Sequence, residues 1–150
     1  MRLIAHRGNI KGSNPSLENS PTYIDVALMR GFDAEIDMRI VGGQIYFGHD
    51  EPEYRVELAW ISDRQESLWV HCKNTEALSF CIEKNIHCFF HNTDDYTITS
   101  QGFVWAYPGK PPTSTKCICV MPEKIDKQDL QLYFGICSDN ILSVLENLND

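Results

Sequence analysis

Four short clusters hold the side chains with which this chain could do chemistry. His6-Arg7 closes the apolar run Leu3-Ile4-Ala5, and Glu35-Ile36-Asp37 sits inside a second apolar stretch. His49-Asp50 follows Gly48, and His71-Cys72-Lys73 ends a third run. Residues two apart on a strand leave the same face, so Glu35 and Asp37 would present their carboxylates side by side. Such a pair repels unless something positive lies between, and oxygen ligands favour a hard divalent ion such as Mg²⁺, Ca²⁺ or Mn²⁺. Two histidines beside a metal suit proton transfer near neutral pH, one taking a proton and one giving it. Arg7 offers a planar fork for a phosphate oxygen, and Lys73 a point charge. Taken singly, each pattern is equally at home on an ordinary polar strand face; the argument lies in their combination.

The elements that must position these groups can be read from patterning. Met1 to Ala5 reads as a strand, and Asn9 to Asn19, rich in Gly, Ser, Asn and Pro, as a functional loop. Ser20-Pro21 predicts a helix start, Ile24, Ala27 and Leu28 give it an apolar face, and Gly31 ends it. Phe32 to Ile40 alternates as a strand, Gly42-Gly43 marks a hairpin turn, and Gln44 to Phe47 pairs back. Residues 51–66 read as a loop or short helix, Ser67 to Lys73 as a strand, and Asn74 as the cap of a helix through Lys84. Beyond residue 85 come four strand-like runs, at 87–91, 97–99, 103–107 and 116–121. They are separated by segments too short or too rich in Gly and Pro for full helices. Phe134 to Ser138 is a last strand, and Asp139 would cap a final helix carrying Ile141, Val144, Leu145 and Leu148.

Strand–helix–strand at the start argues for parallel strands joined by crossovers, with the chemistry near strand ends. A full eightfold barrel needs about 250 residues. The expected fold is therefore an α/β chain forming a compact, reduced TIM-type (β/α) barrel with several outer helices lost or shortened, as one domain over residues 1–150. The net charge of −8 disfavours a nucleic-acid or anionic-membrane binder. No apolar run reaches the length of a membrane span. The six cysteines form no Cys-x-x-Cys pair, and no leader-like segment is visible, so reduced thiols in a cytoplasmic protein are expected.

The order of these clusters is more telling than any one of them. His-Arg-Gly, a loop with Leu17-Glu18-Asn19, a helix ending in Gly, Glu-x-Asp, a Gly turn and His-Asp together closely resemble the glycerophosphodiester phosphodiesterase family. That family is a TIM barrel related to the phosphatidylinositol-specific phospholipases C. The resemblance covers residues 3–50, thins through Val70 to Lys73, and returns at Gly135 to Asp139. It implies metal-dependent cleavage of a glycerol-linked phosphodiester to an alcohol and glycerol phosphate, in lipid metabolism. It also implies His6 and His49 as the acid–base pair, Arg7 and Lys73 on the phosphate, Glu35 and Asp37 on the metal, and Glu18 steadying the site. The family's usual third metal ligand, a Glu two residues before the Lys, is here His71, which shifts metal preference from Mg²⁺ or Ca²⁺ toward Mn²⁺ or Zn²⁺. Trp105 and Tyr107 could stack on a substrate, though an aromatic core explains them as well, and Asn92 to Asp95 and Glu123 would line the rim. Two other readings remain: an inactive barrel that binds a phosphorylated ligand or partner, and a phosphodiesterase for a glycerophosphate-substituted polysaccharide.

Overall fold

A computed structural model describes residues 1–149. Its ten strands belong to one curled sheet. The first is β1 (Arg2–His6), followed by helix α1 (Pro21–Met29), β2 (Asp33–Val41), β3 (Gln44–Phe47), β4 (Tyr54–Val56) and α2 (Leu58–Ser62). Then come β5 (Leu68–Cys72), α3 (Thr75–Glu83), β6 (Cys88–Phe90), β7 (Tyr96–Ile98) and β8 (Val104–Ala106). The chain ends with β9 (Cys117–Val120), α4 (Lys127–Leu130), β10 (Gly135–Ser138) and α5 (Ile141–Asn149). Strands β6, β5, β2, β1, β10, β9 and β8 lie side by side in that order, all parallel. The β2–β3, β3–β4 and β7–β8 pairs are antiparallel.

The expected reduced TIM-type barrel is therefore overturned. The sheet is mixed, because Gly42 and Gly43 (φ +56° and +75°) turn β2 straight back into β3, the backbone a two-residue hairpin requires. It is also open: among the described residues no ladder joins β6 to β7. Only single bonds stitch them, such as Ser100 N–H to the Cys88 carbonyl (2.7 Å) and Thr97 Oγ1 to the Phe90 carbonyl (3.0 Å). The helices are few and short, so loops replace most outer crossovers. Strand β4 was not foreseen in the polar 51–66 segment.

Two of the helices start as their sequences dictate. Ser20 Oγ accepts from Tyr23 N–H at 3.2 Å with Pro21 behind it. Asn74 Oδ1 accepts from Ala77 N–H, while the same side chain brackets Ile40 through both its backbone groups. Asn74 thus ties the start of α3 to the end of β2. The final helix differs from expectation: Asn140 Oδ1 takes the Ser143 N–H, and Asp139 is turned elsewhere.

Burial sorts the sheet into two faces. On the outer face, Ala34, Ile36 and Met38 of β2 pack beneath Ile24, Ala77 and Cys81 from the helices. A second outer cluster joins Ile136 and Cys117 to Ile141 and Val144 of α5. The inner face carries Ile4, Trp69, Phe89, Trp105, Ile118 and Val120. Trp69 on β5 lies 5.8 Å from Trp105 on β8 (ring centroids), a contact between distant strands that only a curled sheet permits. This aromatic layer is the floor on which the polar groups stand.

Gly48 makes the turn after β3 possible. A Cβ there would come within 2.0 Å of the Glu51 carbonyl oxygen, at φ +150°. Gly48→Ala should cost at least about 2 kcal/mol from strain and steric displacement. A lowered urea midpoint with an unchanged slope would show it; parental stability would mean that the turn rearranges freely.

Candidate active site

The strand register brings the predicted groups together. His6 is opposite Glu35 across β1–β2, and Asp37 is opposite His71 across β2–β5. His49, Lys73 and Asp139 lie just past β3, β5 and β10. His6, Arg7, Glu35, His49, His71 and Lys73 all line one cavity of about 540 Å³. Its wall continues through Phe89, Trp105 and Tyr107, and its rim through His91 and Asn92 to Asp95. Glu123 is not part of it and lines a separate groove beside α5.

The backbone turns sharply where β1 ends. Arg7 adopts φ +53°, a left-handed conformation that a non-glycine residue rarely holds without support. Support comes from Arg7 N–H on Glu35 Oε2 (3.2 Å) and from Asn19 N–H on the Arg7 carbonyl (3.1 Å). Gly8 follows because a Cβ there would press on Tyr23 and the Ile24 backbone at 3.1–3.3 Å.

Asp37 is the centre of the arrangement and is fully buried. Its Oδ2 accepts from Asn19 Nδ2 at 3.0 Å and lies 2.9 Å from Arg7 Nε, although that N–H is not aimed well enough to bond. Its Oδ1 has no hydrogen-bond partner, an uncommon state for a buried carboxylate oxygen. Lys73 Nζ stands 3.8 Å from it and His71 Nδ1 3.2 Å. The other ring nitrogen of His71, Nε2, lies 3.2 Å from the His91 carbonyl. A carbonyl can only accept, so Nε2 carries a proton, and Nδ1 is the ring nitrogen turned toward Asp37 Oδ1 and Glu35 Oε1 (3.8 Å), where its lone pair could serve a cation. Ligand atoms of Glu35, Asp37 and His71 all lie within 4.8 Å of one another. Three side chains able to donate lone pairs converge there, a set that could hold a divalent cation.

Charge points the same way. The four carboxylates Glu18, Glu35, Asp37 and Asp139 outnumber the two permanent cations, Arg7 and Lys73, so the pocket can accommodate further positive charge. Complete burial, reinforced by the adjacent Asp37 carboxylate, pushes the Glu35 carboxyl up. Burial acts against the Asp37 carboxylate as well, yet its polar surroundings, the Arg7 guanidinium among them, hold it well below the usual range.

The two predicted acid–base histidines differ in their partners. His6 Nδ1 lies 2.7 Å from Asp139 Oδ1, an acceptor, so Nδ1 carries the proton and Nε2 is left as a base. Burial disfavours the His6 imidazolium, but the Asp139 bond and nearby Glu35 outweigh it and raise the pKa. His49 Nδ1 lies 2.7 Å from Arg7 Nη2, which can only donate, and 3.2 Å from Asp37 Oδ2, which can only accept; the shorter contact places a lone pair on Nδ1 and the ring proton on Nε2. Arg39 holds the His49 loop by donating to the Gly48 and His49 carbonyls. Arg7 Nη1 donates to Glu18 Oε2 at 3.1 Å. Glu18 is in turn fixed by Asn9 and Ser13.

No protein-family model, curated protein or solved structure matches the chain. What this site can do therefore rests on its own geometry. Among the described residues, no helix is long and apolar enough to cross a membrane.

Sequence patterning missed Asp139, Asn9, Asn19, Arg39 and His91. Asp139 had a signal, since it follows a strand just as the other polar groups do; the capping role assigned to it concealed this. In any proton-transfer reaction carried by His6, Asp139→Asn should cost about 10–100-fold in rate by losing the proton-orienting partner of that ring. The acidic limb of the pH–rate profile should move to lower pH, because the anion that raises the His6 pKa is gone. An unmoved limb would remove Asp139 from the proton relay.

Proposed function

We propose that this protein is a divalent-metal-dependent phosphoric diester hydrolase acting on a glycerophosphodiester-type substrate. The reading rests on one observation: the converging lone pairs of Glu35, Asp37 and His71, with Asp37 Oδ1 otherwise unpartnered, between two imidazoles of opposite tautomer. The likeness of residues 3–50 to the glycerophosphodiester phosphodiesterases supports the substrate class. Glu35, Asp37 and His71 would hold the ion, which when bound supplies Lewis-acid polarisation of a phosphoryl oxygen. The two carboxylates suit Mg²⁺ or Ca²⁺, and the imidazole widens the choice to Mn²⁺ or Zn²⁺.

The chain's own groups perform the rest. Lys73, at the cavity wall, balances charge as phosphorus becomes five-coordinate, and Arg7 assists from the same side. His6 Nε2 takes the proton of the attacking hydroxyl, from water or the substrate's own glycerol, as the new O–P bond forms. His49 Nε2–H gives its proton to the departing alkoxide as the old P–O bond breaks. Trp105 and Phe89, stacked at 4.6 Å, form an apolar wall for the organic part of the substrate. Six buried, unpaired cysteines suit a cytoplasmic setting.

Assay on bis-p-nitrophenyl phosphate, glycerophosphocholine and glycerophosphoryl-sugars tests this directly. Activity should vanish on chelation and return with a divalent ion, and the products should identify the alcohol. Metal-independent turnover, or none on any diester, would defeat the proposal. One observation favours the second reading, a phosphate-binding chain without turnover: every Arg7 nitrogen already faces a protein partner. Diester binding without cleavage would establish it.

A further inference from the structure

A second convergence of ligand atoms lies on the opposite face of the sheet. Cys72 at the end of β5, Cys81 in the last turns of α3 and Cys88 at the start of β6 place their Sγ atoms within 4.8 Å of one another. All three are buried, at 0%, 0% and 1% exposure. They sit in the apolar layer formed by Ile36, Val70, Ala77 and Ile86. Buried cysteines are often simple small hydrophobes, and Cys117, Cys119 and Cys137 show what that looks like here. Those three are equally buried, yet among the described residues they form no such group. The first three differ because separate elements aim their sulfurs at one point.

We propose that Cys72, Cys81 and Cys88 form a buried three-sulfur site for a single Cu(I) ion. Thiolates select soft ions, chiefly Cu(I) and Zn(II). Structural zinc is almost always four-coordinate, and among the described residues the group offers three ligands. Binding breaks three S–H bonds, releases three protons to solvent and forms three Cu–S bonds, with no change in oxidation state. Entry requires α3 to lift, since that nine-residue helix carries Cys81 over the other two. The proposal is independent of the hydrolase reading: it concerns the outer face, and its readout is metal binding.

The test uses the full chain, reduced with a non-thiol reductant and titrated anaerobically with Cu(I) from a chromophoric chelator. One equivalent should be withdrawn, with a sulfur-to-copper charge-transfer band, three sulfur neighbours by X-ray absorption and a raised Tm. C81A and C88A should each weaken binding by about 100-fold or more, whereas C119A should leave it unchanged. Circular dichroism separates lost ligation from lost folding. Should the variants unfold, the sulfur count on the parent decides. No withdrawal of copper, a count of two sulfurs, equal loss in C119A, or tighter binding of Zn(II) than Cu(I) would each overturn the site.

Discussion

Asp37→Asn should abolish metal-dependent turnover and lower Tm, whereas Glu35→Gln should abolish turnover and raise Tm in the presence of chelator. Both variants remove a ligand, and losing the phosphoryl polarisation that depends on it is worth several kcal/mol, about 10³-fold in rate or more. The opposite stability effects follow from how the fold holds each group. Asp37 is kept ionised by the Arg7 and Lys73 cations and by the Asn19 amide, so an amide there leaves buried cationic partners short of charge. With Arg7 one-fifth exposed, that loss is about 2–4 kcal/mol. Glu35 is pushed toward its protonated form by burial and by Asp37, so at neutral pH its charge opposes folding until a cation arrives. A neutral amide removes that opposition and should add about 1 kcal/mol. The sign follows from the raised pKa: the Glu35 contribution is present below the unfolded pKa and lost as pH rises through the folded one. Thermal melts with and without metal decide it. A destabilised Glu35→Gln variant would show that the protein, not an ion, neutralises this carboxylate.

His6→Ala and His49→Ala should each lose about 10²–10⁴ in rate on alkyl diesters, where both proton transfers are needed. They should diverge on bis-p-nitrophenyl phosphate. A nitrophenolate leaves without a proton, so His49→Ala should retain most of its rate there, while His6→Ala should not. The divergence follows from the two tautomers: Asp139 leaves Nε2 of His6 bare, and Arg7 leaves Nε2 of His49 protonated. In the parent, the acidic limb of kcat/KM should lie above the range of an ordinary imidazole, because Asp139 and Glu35 outweigh burial at His6. Equal losses on both substrates would end the division of labour.

Much of the site was legible because it is carried on regular elements. Alternation on β2 placed Glu35 and Asp37 on one face, and the strand ends placed His6, His49 and Lys73. The fold was less legible. Gly42-Gly43 plainly announced a hairpin, but its consequence, a mixed sheet, does not follow from one turn. Whether the sheet closes depends on the pairing of β6 and β7, consecutive short strands with no distinctive pattern. His91, Asn9 and Asn19 act through hydrogen bonds that only the fold creates, as His91 does through its backbone carbonyl.

The seam between β6 and β7 has a consequence for what the proposed hydrolase could accept. With only isolated bonds across it, that flank of the chamber can widen without unzipping a ladder. The five-residue connection from His91 to Asp95 crosses the mouth there. Lengthening that connection would admit bulkier alcohols while leaving the catalytic strands and their hydrophobic backing undisturbed, so selectivity and chemistry can diverge independently in this scaffold.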